Sequence, residues 1–345
     1  MKIFECSVCG HAVYFRNTQC TACQSSLAFD PATLSMRSGV GQLCANGRLH
    51  QACNWLTSPQ STSGFCVSCE LNRTIPNLSN ARNLSLWQHI QKEKNHLVYS
   101  LLSFGLPIIS QKLAPDTGLA FDCLDARAKK NGDVVTGHAR GVITLDIDEA
   151  DDAIRERVRQ QMGEPYRTLL GHFRHESAHY YWDRLVKDSA WLSEFRELFG
   201  NESVDYSASL KAHYANGAPP DWNDNYISSY ASSHPWEDWA ETWAHYFHIV
   251  DALETARQLG LALDPQTGRT ASLDTVADFY PYADTRIDIL IERWLPVSLA
   301  LNMLNRSLGQ RDAYPFVLNK VVQRKLGLVN RIISNHREGE GPPSE

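Results

Sequence analysis

The chain has 345 residues, 43% of them hydrophobic, and its 33 Lys and Arg against 39 Asp and Glu give a net charge of −6. This composition excludes a largely disordered or fibrous protein, and the acidic balance argues against binding nucleic acid through the overall field of the molecule. The length predicts about two domains. No apolar run reaches the ~18 residues of a membrane span, and the N-terminus lacks the apolar stretch of a secretory signal, so a cytoplasmic location is expected.

The nine cysteines are concentrated at one end of the chain. Eight of them precede residue 70, and six of these eight form three Cys-x-x-Cys pairs. A Cys-x-x-Cys turn aims two thiolates at one tetrahedral ion, and four thiolates make a closed structural zinc shell with no open position for substrate. In a reducing compartment, clustered cysteines act as metal ligands rather than disulfides. We therefore expect two structural Cys₄ zinc sites, built from Cys6, Cys9, Cys20, Cys23, Cys44, Cys53, Cys66 and Cys69.

The pairing of these eight ligands has two solutions. Sequential sites would use the four cysteines of 6–23 and the four of 44–69 as two zinc ribbons, which we favour, whereas cross-braced sites would combine pairs from both groups. In either arrangement, metal replaces a core that about 70 residues can hardly build alone. Residues 1–75 are assigned to this double zinc-ribbon module. The ninth cysteine, Cys123, is expected to be a buried small hydrophobe.

The pattern changes after residue 76. Apolar spacing predicts a helix near 85–104, followed by strand-like runs at 119–124 and 141–147. Beyond them the chain is mostly helical, with helices predicted near 148–162, 165–187, 190–199, 235–259, 284–308 and 315–334. The expected fold class is α+β, with a small β module followed by a mainly helical domain over 76–335 that carries a small sheet. A polar tail at 336–345 is expected to be flexible.

A second group of candidate metal ligands lies in the helical part, where His175-Glu176-Ser177-Ala178-His179 forms an HExxH sequence. On a helix, two His four residues apart lie on one face, so both imidazoles can reach one ion. Glu176 is then placed to take a proton from the attacking water. Catalytic zinc needs three protein ligands and one open position. The sequence therefore predicts a catalytic zinc bound by His175 and His179, and its third protein ligand must come from another part of the chain.

The best source of that ligand is the aromatic helix predicted near 235–259. Glu237, Glu241, His245 and His248 follow one another at spacings of four, four and three, which makes one polar stripe on a helix. Glu237, on the first turn, is the expected third ligand. Glu241, one turn further, is expected to accept a hydrogen bond from a ligand His, and the two His are expected to pack or support the site. Asp238 is rotated away by ~100° and is a poorer candidate.

These residues carry a family resemblance. HExxH followed 58 residues later by Glu-x-x-Ala-Glu-x-aromatic resembles the gluzincin metallopeptidases, and is closest in pattern to their lethal-factor-like branch. The resemblance implies that Glu237 is the zinc ligand. It also implies that a Tyr seven residues earlier, here Tyr230, donates a hydrogen bond to the oxyanion. Residues 76–335 would then form a zincin-like metallopeptidase domain.

A broader resemblance runs from near residue 1 to about residue 260. The segments 66–76, 171–176 and 232–241 are similar to those of a bacterial family of zinc-binding metallopeptidases with an N-terminal zinc-ribbon region. The resemblance implies the fold and the zinc, and it leaves the substrate open. Three further His residues each have two interpretations. We expect His172 to be a hydrogen-bonding core residue rather than a ligand, His234 to cap the following helix rather than contact substrate, and His138 to lie in a turn rather than border the cleft. The strand 141–147 is expected to be a sheet edge to which an extended peptide could pair.

The expected function is hydrolysis of peptide bonds by zinc-activated water with Glu176 as general base and Tyr230 as oxyanion donor. The expected cofactors are one catalytic and two structural Zn²⁺. A peptide or protein is the expected substrate, the ribbons are expected to contact a protein partner, and neither a membrane nor a nucleic acid is expected as a partner. Two alternatives remain open: a zinc-ribbon scaffold whose metallopeptidase-like domain has little activity, and a zinc hydrolase of non-peptide amides.

Overall fold

A computed structural model describes residues 2–39, 41–128, 134, 136–162, 166–264, 275–276, 279–284 and 286–339. Within them the protein is of the α+β class, with ten α-helices and ten short strands, which confirms the predicted fold class. The chain divides into two compact units, Met1–Glu176 and Ser177–Glu345. Residues 163–165, the last of which was predicted to begin a helix, lie outside the described residues, as do residue 285 of the helix predicted near 284–308 and residues 340–345 of the predicted tail.

The N-terminal part consists of two small hairpins and two short helices. Strands β1 (Ile3–Glu5) and β2 (Ala12–Tyr14) pair antiparallel, as do β3 (Leu27–Asp30) and β4 (Ser35–Ser38). They are followed by helices α1 (Ala45–His50) and α2 (Val67–Glu70). Its core includes three buried aromatic side chains, with ring centroids 4.9 Å apart for Phe15 and Phe29 and 4.8 Å apart for Phe29 and Trp55. Such edge-to-face and tilted pairs are favourable beyond their buried area.

A four-stranded sheet follows, in the order β5 (Asn72–Thr74), β6 (Ala120–Leu124), β8 (Val142–Asp146) and β7 (Gly137–Ala139). Strands β6 and β8 are parallel, whereas β7 and β8 are antiparallel. The long helix α3 (Ala81–Ser103) lies between β5 and β6 in the chain, and the Asn80 side chain caps it by accepting from the Arg82 N–H. The apolar face of α3 is buried over most of its length, which is why its spacing was readable in the sequence.

The interpretation of 141–147 as an edge strand was wrong. Strand β8 has a neighbour on each side, so its backbone groups are paired within the sheet and the short strand β7 lies at the edge. The two residues that join β7 to β8, Arg140 and Gly141, both have positive φ, as a tight type I′ hairpin turn requires. His138 closes this turn by accepting a hydrogen bond from the Gly141 N–H at 3.0 Å, which agrees with its interpretation as a turn residue.

A 3₁₀ turn at Ile147–Ala150 leads from β8 into α4 (Asp152–Met162), and α5 (Leu169–Leu185) follows. The turn is held by α3, because Arg82 forms an ion pair with Asp148 at 2.7 Å and His89 Nδ1 lies 3.0 Å from the Ala150 carbonyl oxygen. The boundary between the two units falls inside α5, after Glu176. The described residues include no helix with the length and apolar character needed to cross a membrane.

The second unit is almost entirely helical. It contains α6 (Trp191–Phe199), α7 (Tyr206–Asn216), α8 (Pro235–Gln258), α9 (Ile287–Ser307) and α10 (Lys320–Glu338), with a small hairpin of β9 (Ala262–Leu263) and β10 (Thr275–Val276). Aromatic side chains fill its core, where Trp239 and Trp243 are fully buried and Tyr181 stacks on Trp243 at 5.3 Å. Helix α7 was not predicted, and none of its residues is buried.

Candidate metal centres

The cysteines form two groups of four, in the sequential arrangement that we favoured. Within each group the sulfur atoms lie within 4.8 Å of one another. The Sγ atoms of Cys6 and Cys23, of Cys9 and Cys20, and of Cys53 and Cys66 are 3.7 Å apart. A tetrahedral zinc ion with Zn–S bonds of about 2.3 Å requires sulfur separations of about 3.8 Å. The residues present therefore fit two Cys₄ zinc ions.

The first group, Cys6, Cys9, Cys20 and Cys23, lies partly open to solvent. Cys6 and Cys20 are buried, whereas Cys9 is exposed. The hydroxyls of Ser25 and Ser38 each lie 3.4 Å from the Cys6 sulfur. These hydrogen bonds lower the pKa of the Cys6 thiol to about 5, so the local structure favours the thiolate that a metal requires.

The second group, Cys44, Cys53, Cys66 and Cys69, is completely buried and is supported by α3. The Asn95 side-chain amide lies 3.5 Å from the Cys53 sulfur. The fully buried ammonium of Lys94 donates to the Ser68 carbonyl oxygen at 2.9 Å, and its charge acts on Cys69. Four thiolates around Zn²⁺ carry two negative charges, so a buried cation at this position compensates part of that charge.

The third group consists of His175, His179 and Glu237, whose ligand atoms lie within 4.8 Å of one another. Helix α5 places the two His one turn apart. The His179 Nε2 atom is 3.6 Å from Oε1 of the buried Glu237. Ligand bonds of about 2.0–2.2 Å around a tetrahedral zinc correspond to separations of about 3.3–3.6 Å, so these donors fit zinc with one coordination position left over.

Helix α8 positions Glu237 through its N-terminus. His234 caps the helix by accepting from the Trp236 N–H at 3.1 Å, which confirms its interpretation as a cap, and Pro235 occupies the first helical position. The indole of Trp239 donates to the Ala178 carbonyl oxygen on α5 at 3.0 Å. The cap therefore fixes where α8 begins, and the indole ties its first turns to the segment of α5 that carries His179.

Tyr206 is a neighbour of Glu237 that sequence reasoning missed. Its hydroxyl donates to Glu237 Oε1 at 2.8 Å. Tyr206 is the first residue of α7, and its ring lies 5.1 Å from that of His234. A lone Tyr thirty-one positions before the ligand carries no motif, so only the fold reveals this contact.

Tyr230 and Glu241 lie near the same carboxylate. Tyr230 begins the 3₁₀ turn that precedes α8, and burial, followed by the charge of Glu237, raises the pKa of its phenol above the ordinary value. The phenol therefore keeps its proton and can donate a hydrogen bond. Glu241 accepts a hydrogen bond from the Ser228 hydroxyl at 2.7 Å. The predicted hydrogen bond from a ligand His to Glu241 stays a prediction.

Glu176 is 6% exposed, and an imidazole lies between it and a second carboxylate. Nε2 of His172 is 3.2 Å from Glu176 Oε1, and Nδ1 of the same ring is 2.5 Å from Glu149 Oε2. The sequence identified His172 as a hydrogen-bonding residue, but Glu149 was missed, because nothing in the pattern relates the residues after β8 to those of α5.

The remaining candidates have structural partners. Asp238 forms a buried ion pair with Lys325 at 2.6 Å, which agrees with its being a poorer ligand candidate. His245 is buried, Nδ1 lies 2.9 Å from the Tyr314 hydroxyl, and burial lowers the pKa of the imidazole to about 4. The His248 ring lies 6.0 Å from that of His245. Cys123 is buried on β6, as predicted, and burial raises the pKa of its thiol to about 12.

These geometries define the class of the molecule. It is an α+β metal-binding protein whose described residues hold three candidate metal centres, two made of four sulfurs and one made of two imidazoles and a carboxylate. The chain belongs to the family described as "Putative zinc-binding metallo-peptidase", whose sequence model matches residues 83–332. A zinc-ribbon domain matches residues 3–42 and 37–80, so the predicted zinc-ribbon region is confirmed.

Relatives in mycobacteria match almost the whole chain. It is 43% identical over 338 residues to "Uncharacterized protein Rv2568c" of Mycobacterium tuberculosis (strain H37Rv) and to "Uncharacterized protein Mb2598c" of Mycobacterium bovis. The match covers 96% of this chain and 95% of each relative. No solved structure matches the chain significantly.

Proposed function

We propose that the protein is a zinc-dependent metallopeptidase of the gluzincin type. It hydrolyses peptide bonds of its substrate at a zinc site formed by His175, His179 and Glu237. The observation that carries this proposal is the convergence of these three donors to within 4.8 Å, with Glu176 next to the first of them on the same helix. The other eight candidate metal ligands form two closed Cys₄ groups. These groups are structural, because a four-sulfur shell has no position for substrate. The complement is one catalytic and two structural zinc ions.

Zinc bound by the third group would supply a Lewis acid that polarises the scissile carbonyl and makes a water more acidic. Residues of the chain transfer the proton and stabilise the oxyanion. Glu176 accepts the proton of the attacking water on its carboxylate and passes it to the leaving amine. The protonated phenol of Tyr230 donates a hydrogen bond to the oxyanion of the tetrahedral intermediate, a contribution of about 2.7–4 kcal/mol for one such donor.

The test compares the wild-type chain with Glu176→Gln, using a quenched-fluorescent peptide library and unfolded casein as substrates. We expect the amide to keep all three zinc ions, because Glu176 is not among the ligands. Hydrolysis should fall by about 10²–10⁴-fold, the usual contribution of a general base. Glu197→Gln is the matched control, since that carboxylate is 72% exposed on α6.

Zinc content measured by mass spectrometry separates this function from its alternatives. Three ions per chain are expected from the three donor groups. A measured content of two ions per chain would mean that the third group binds no zinc, and would favour the zinc-ribbon scaffold. Full activity in Glu176→Gln would contradict the proposed mechanism, and hydrolysis of acyl amides without cleavage of peptides would favour a non-peptide substrate.

A further inference from the structure

One imidazole joins the proposed general base to a second acidic residue. His172 lies one helical turn before Glu176 on α5, so the two side chains share a face. Its Nε2 atom is 3.2 Å from Glu176 Oε1 and its Nδ1 atom is 2.5 Å from Glu149 Oε2. The side chains of His172 and Glu149 are 20% and 19% exposed. The ring therefore bridges two carboxylates in a mostly closed environment.

Glu149 is fixed by a different element from the one that carries His172. It lies in the 3₁₀ turn Ile147–Ala150 directly after β8, and the Thr136 hydroxyl donates to its Oε1 atom. The Thr136 oxygen in turn accepts from the Asp146 N–H at 3.3 Å. Arg155 donates to the Glu149 carbonyl oxygen at 2.8 Å. The sheet and its following turn thus hold the far end of the bridge, independently of α5.

The charges at this bridge favour an imidazolium. Burial by itself lowers the pKa of His172, but the charge and hydrogen bond of Glu149, followed by those of Glu176, outweigh burial and raise this pKa to about 10. The charge of Arg167 acts on Glu149 from the segment before α5. A doubly protonated ring donates from both nitrogens, whereas a neutral ring has one donor. Both carboxylates therefore receive charge-assisted hydrogen bonds.

We propose that His172, anchored by Glu149, is a positioning residue that holds the Glu176 carboxylate in one orientation for proton transfer. The hydrogen bond uses one of the two carboxylate oxygens and prevents rotation of a side chain that must meet the attacking water within hydrogen-bond distance. This inference rests on the proposed peptidase function. It adds a residue pair that the HExxH pattern does not contain, one turn upstream and on a neighbouring element.

Two substitutions at His172 distinguish a positioning role of this side chain from a purely structural role. In His172→Gln the side-chain amide nitrogen lies near the original Nε2 position and can still donate to Glu176. In His172→Asn it lies near the Nδ1 position, so the contact with Glu176 is lost. We expect kcat on casein to fall about 10- to 100-fold in His172→Asn and clearly less in His172→Gln, with KM unchanged in both, since misplacement by about 1 Å can cost about 10²-fold.

The control is His336→Gln. That imidazole is exposed in the last turn of α10, so kcat should stay at the wild-type level. A purely structural role for His172 would lower kcat equally in His172→Asn and His172→Gln, in proportion to lost folded protein. That pattern would overturn the proposal.

A spectroscopic measurement tests the bridge without turnover. In the zinc-loaded protein labelled with ¹⁵N-histidine, one imidazole should carry protons on both nitrogens at pH 8, and its signal should be missing in His172→Asn and His172→Gln. In Glu149→Gln this ring should lose its second proton at lower pH than in wild type. If no ring is doubly protonated at pH 8 while Glu176→Gln has lost activity, the bridge is wrong and the peptidase function stands. If Glu176→Gln stays active, the proposed function itself fails.

Discussion

The carboxylate of Glu237 is held by two elements besides any metal. It projects from the first turn of the capped helix α8, and the Tyr206 hydroxyl at the start of α7 donates to its Oε1 atom at 2.8 Å. Hydrogen bonds of this kind orient a ligand carboxylate before the metal arrives. Loss of such a partner typically lowers metal affinity about 10- to 100-fold.

We therefore expect Tyr206→Phe to weaken zinc at the third group by about 10- to 100-fold. The two Cys₄ groups should keep their zinc, because Tyr206 is not next to any of their ligands in the chain and neither group includes Glu237. Competition with a chromophoric chelator measures the three affinities. Tyr214→Phe is the matched control, since it removes a hydroxyl from the same helix at a residue that is 64% exposed. Equal zinc affinities in the two variants would show that Tyr206 does not orient the ligand.

At the scale of single residues, the sequence identified those whose roles depend on helical spacing. His175, Glu176 and His179 share one turn of α5, and Glu237 was found because polar residues at helical spacing stood out on an aromatic helix. Tyr206 and Glu149 could not be found in this way. Their contacts depend on where α7 and the turn after β8 pack, and packing leaves no period in the sequence.

At the scale of elements, α8 is joined to α10 by a buried ion pair. Lys325 Nζ lies 2.6 Å from Asp238 Oδ2, and the two side chains are 3% and 1% exposed. The ammonium also donates to the Asn225 carbonyl oxygen at 2.7 Å and lies 4.4 Å from the centre of the Tyr226 ring. A buried charge that loses its partner typically costs about 3–5 kcal/mol.

Lys325→Met should accordingly lower the free energy of unfolding by about 3–5 kcal/mol at neutral pH, because it leaves Asp238 buried without its cation. Urea unfolding followed by tryptophan fluorescence measures the change. Lys320→Met, on the exposed start of the same helix, should stay within about 0.5 kcal/mol of wild type. The double variant Asp238→Asn with Lys325→Met should recover part of the loss. A Lys325→Met protein as stable as Lys320→Met would refute a role of the pair in joining the helices.

The elements that were predicted and those that were missed differ in burial. Helices α3 and α8 bury long apolar faces, so their periodicity was visible. Helix α7 buries none of its residues and gave no such signal. Strand β7 was missed because its turn uses Arg140 and Gly141 instead of the Asn-Gly or Asp-Gly pair that marks a two-residue hairpin. Its absence from the prediction made β8 look like an edge.

At the scale of the whole molecule, the two zinc ribbons are not equivalent. Cys9 of the first group is an exposed residue, whereas all four cysteines of the second are buried, and Lys94 and Asn95 of α3 support them. Helix α3 also holds the 3₁₀ turn of Glu149, through Arg82 and His89. One helix therefore contacts both a structural metal group and the segment that anchors His172.

We expect Cys53→Ser and Cys9→Ser to affect different lengths of the chain, although each removes one zinc ligand. Cys53→Ser should speed amide hydrogen exchange in α3 and in residues 147–150, because Lys94 and Asn95 lose the ordered group that they contact. Cys9→Ser should affect mainly residues 6–23. Hydrogen exchange read by mass spectrometry, with zinc content determined in parallel, makes the comparison. Identical exchange in α3 for both variants would contradict this coupling.

The position of Lys94 also bears on how the chain matures. Until the second cysteine group has its metal, a newly made chain would carry an ammonium in the interior of α3 beside four unassembled thiols, and burying that charge is costly. We expect chains made under zinc shortage to leave α3 open and accessible to proteolysis, and so to be degraded. Zinc supply would in this way control how much folded protein accumulates, through a helix that supplies none of the eight sulfur ligands.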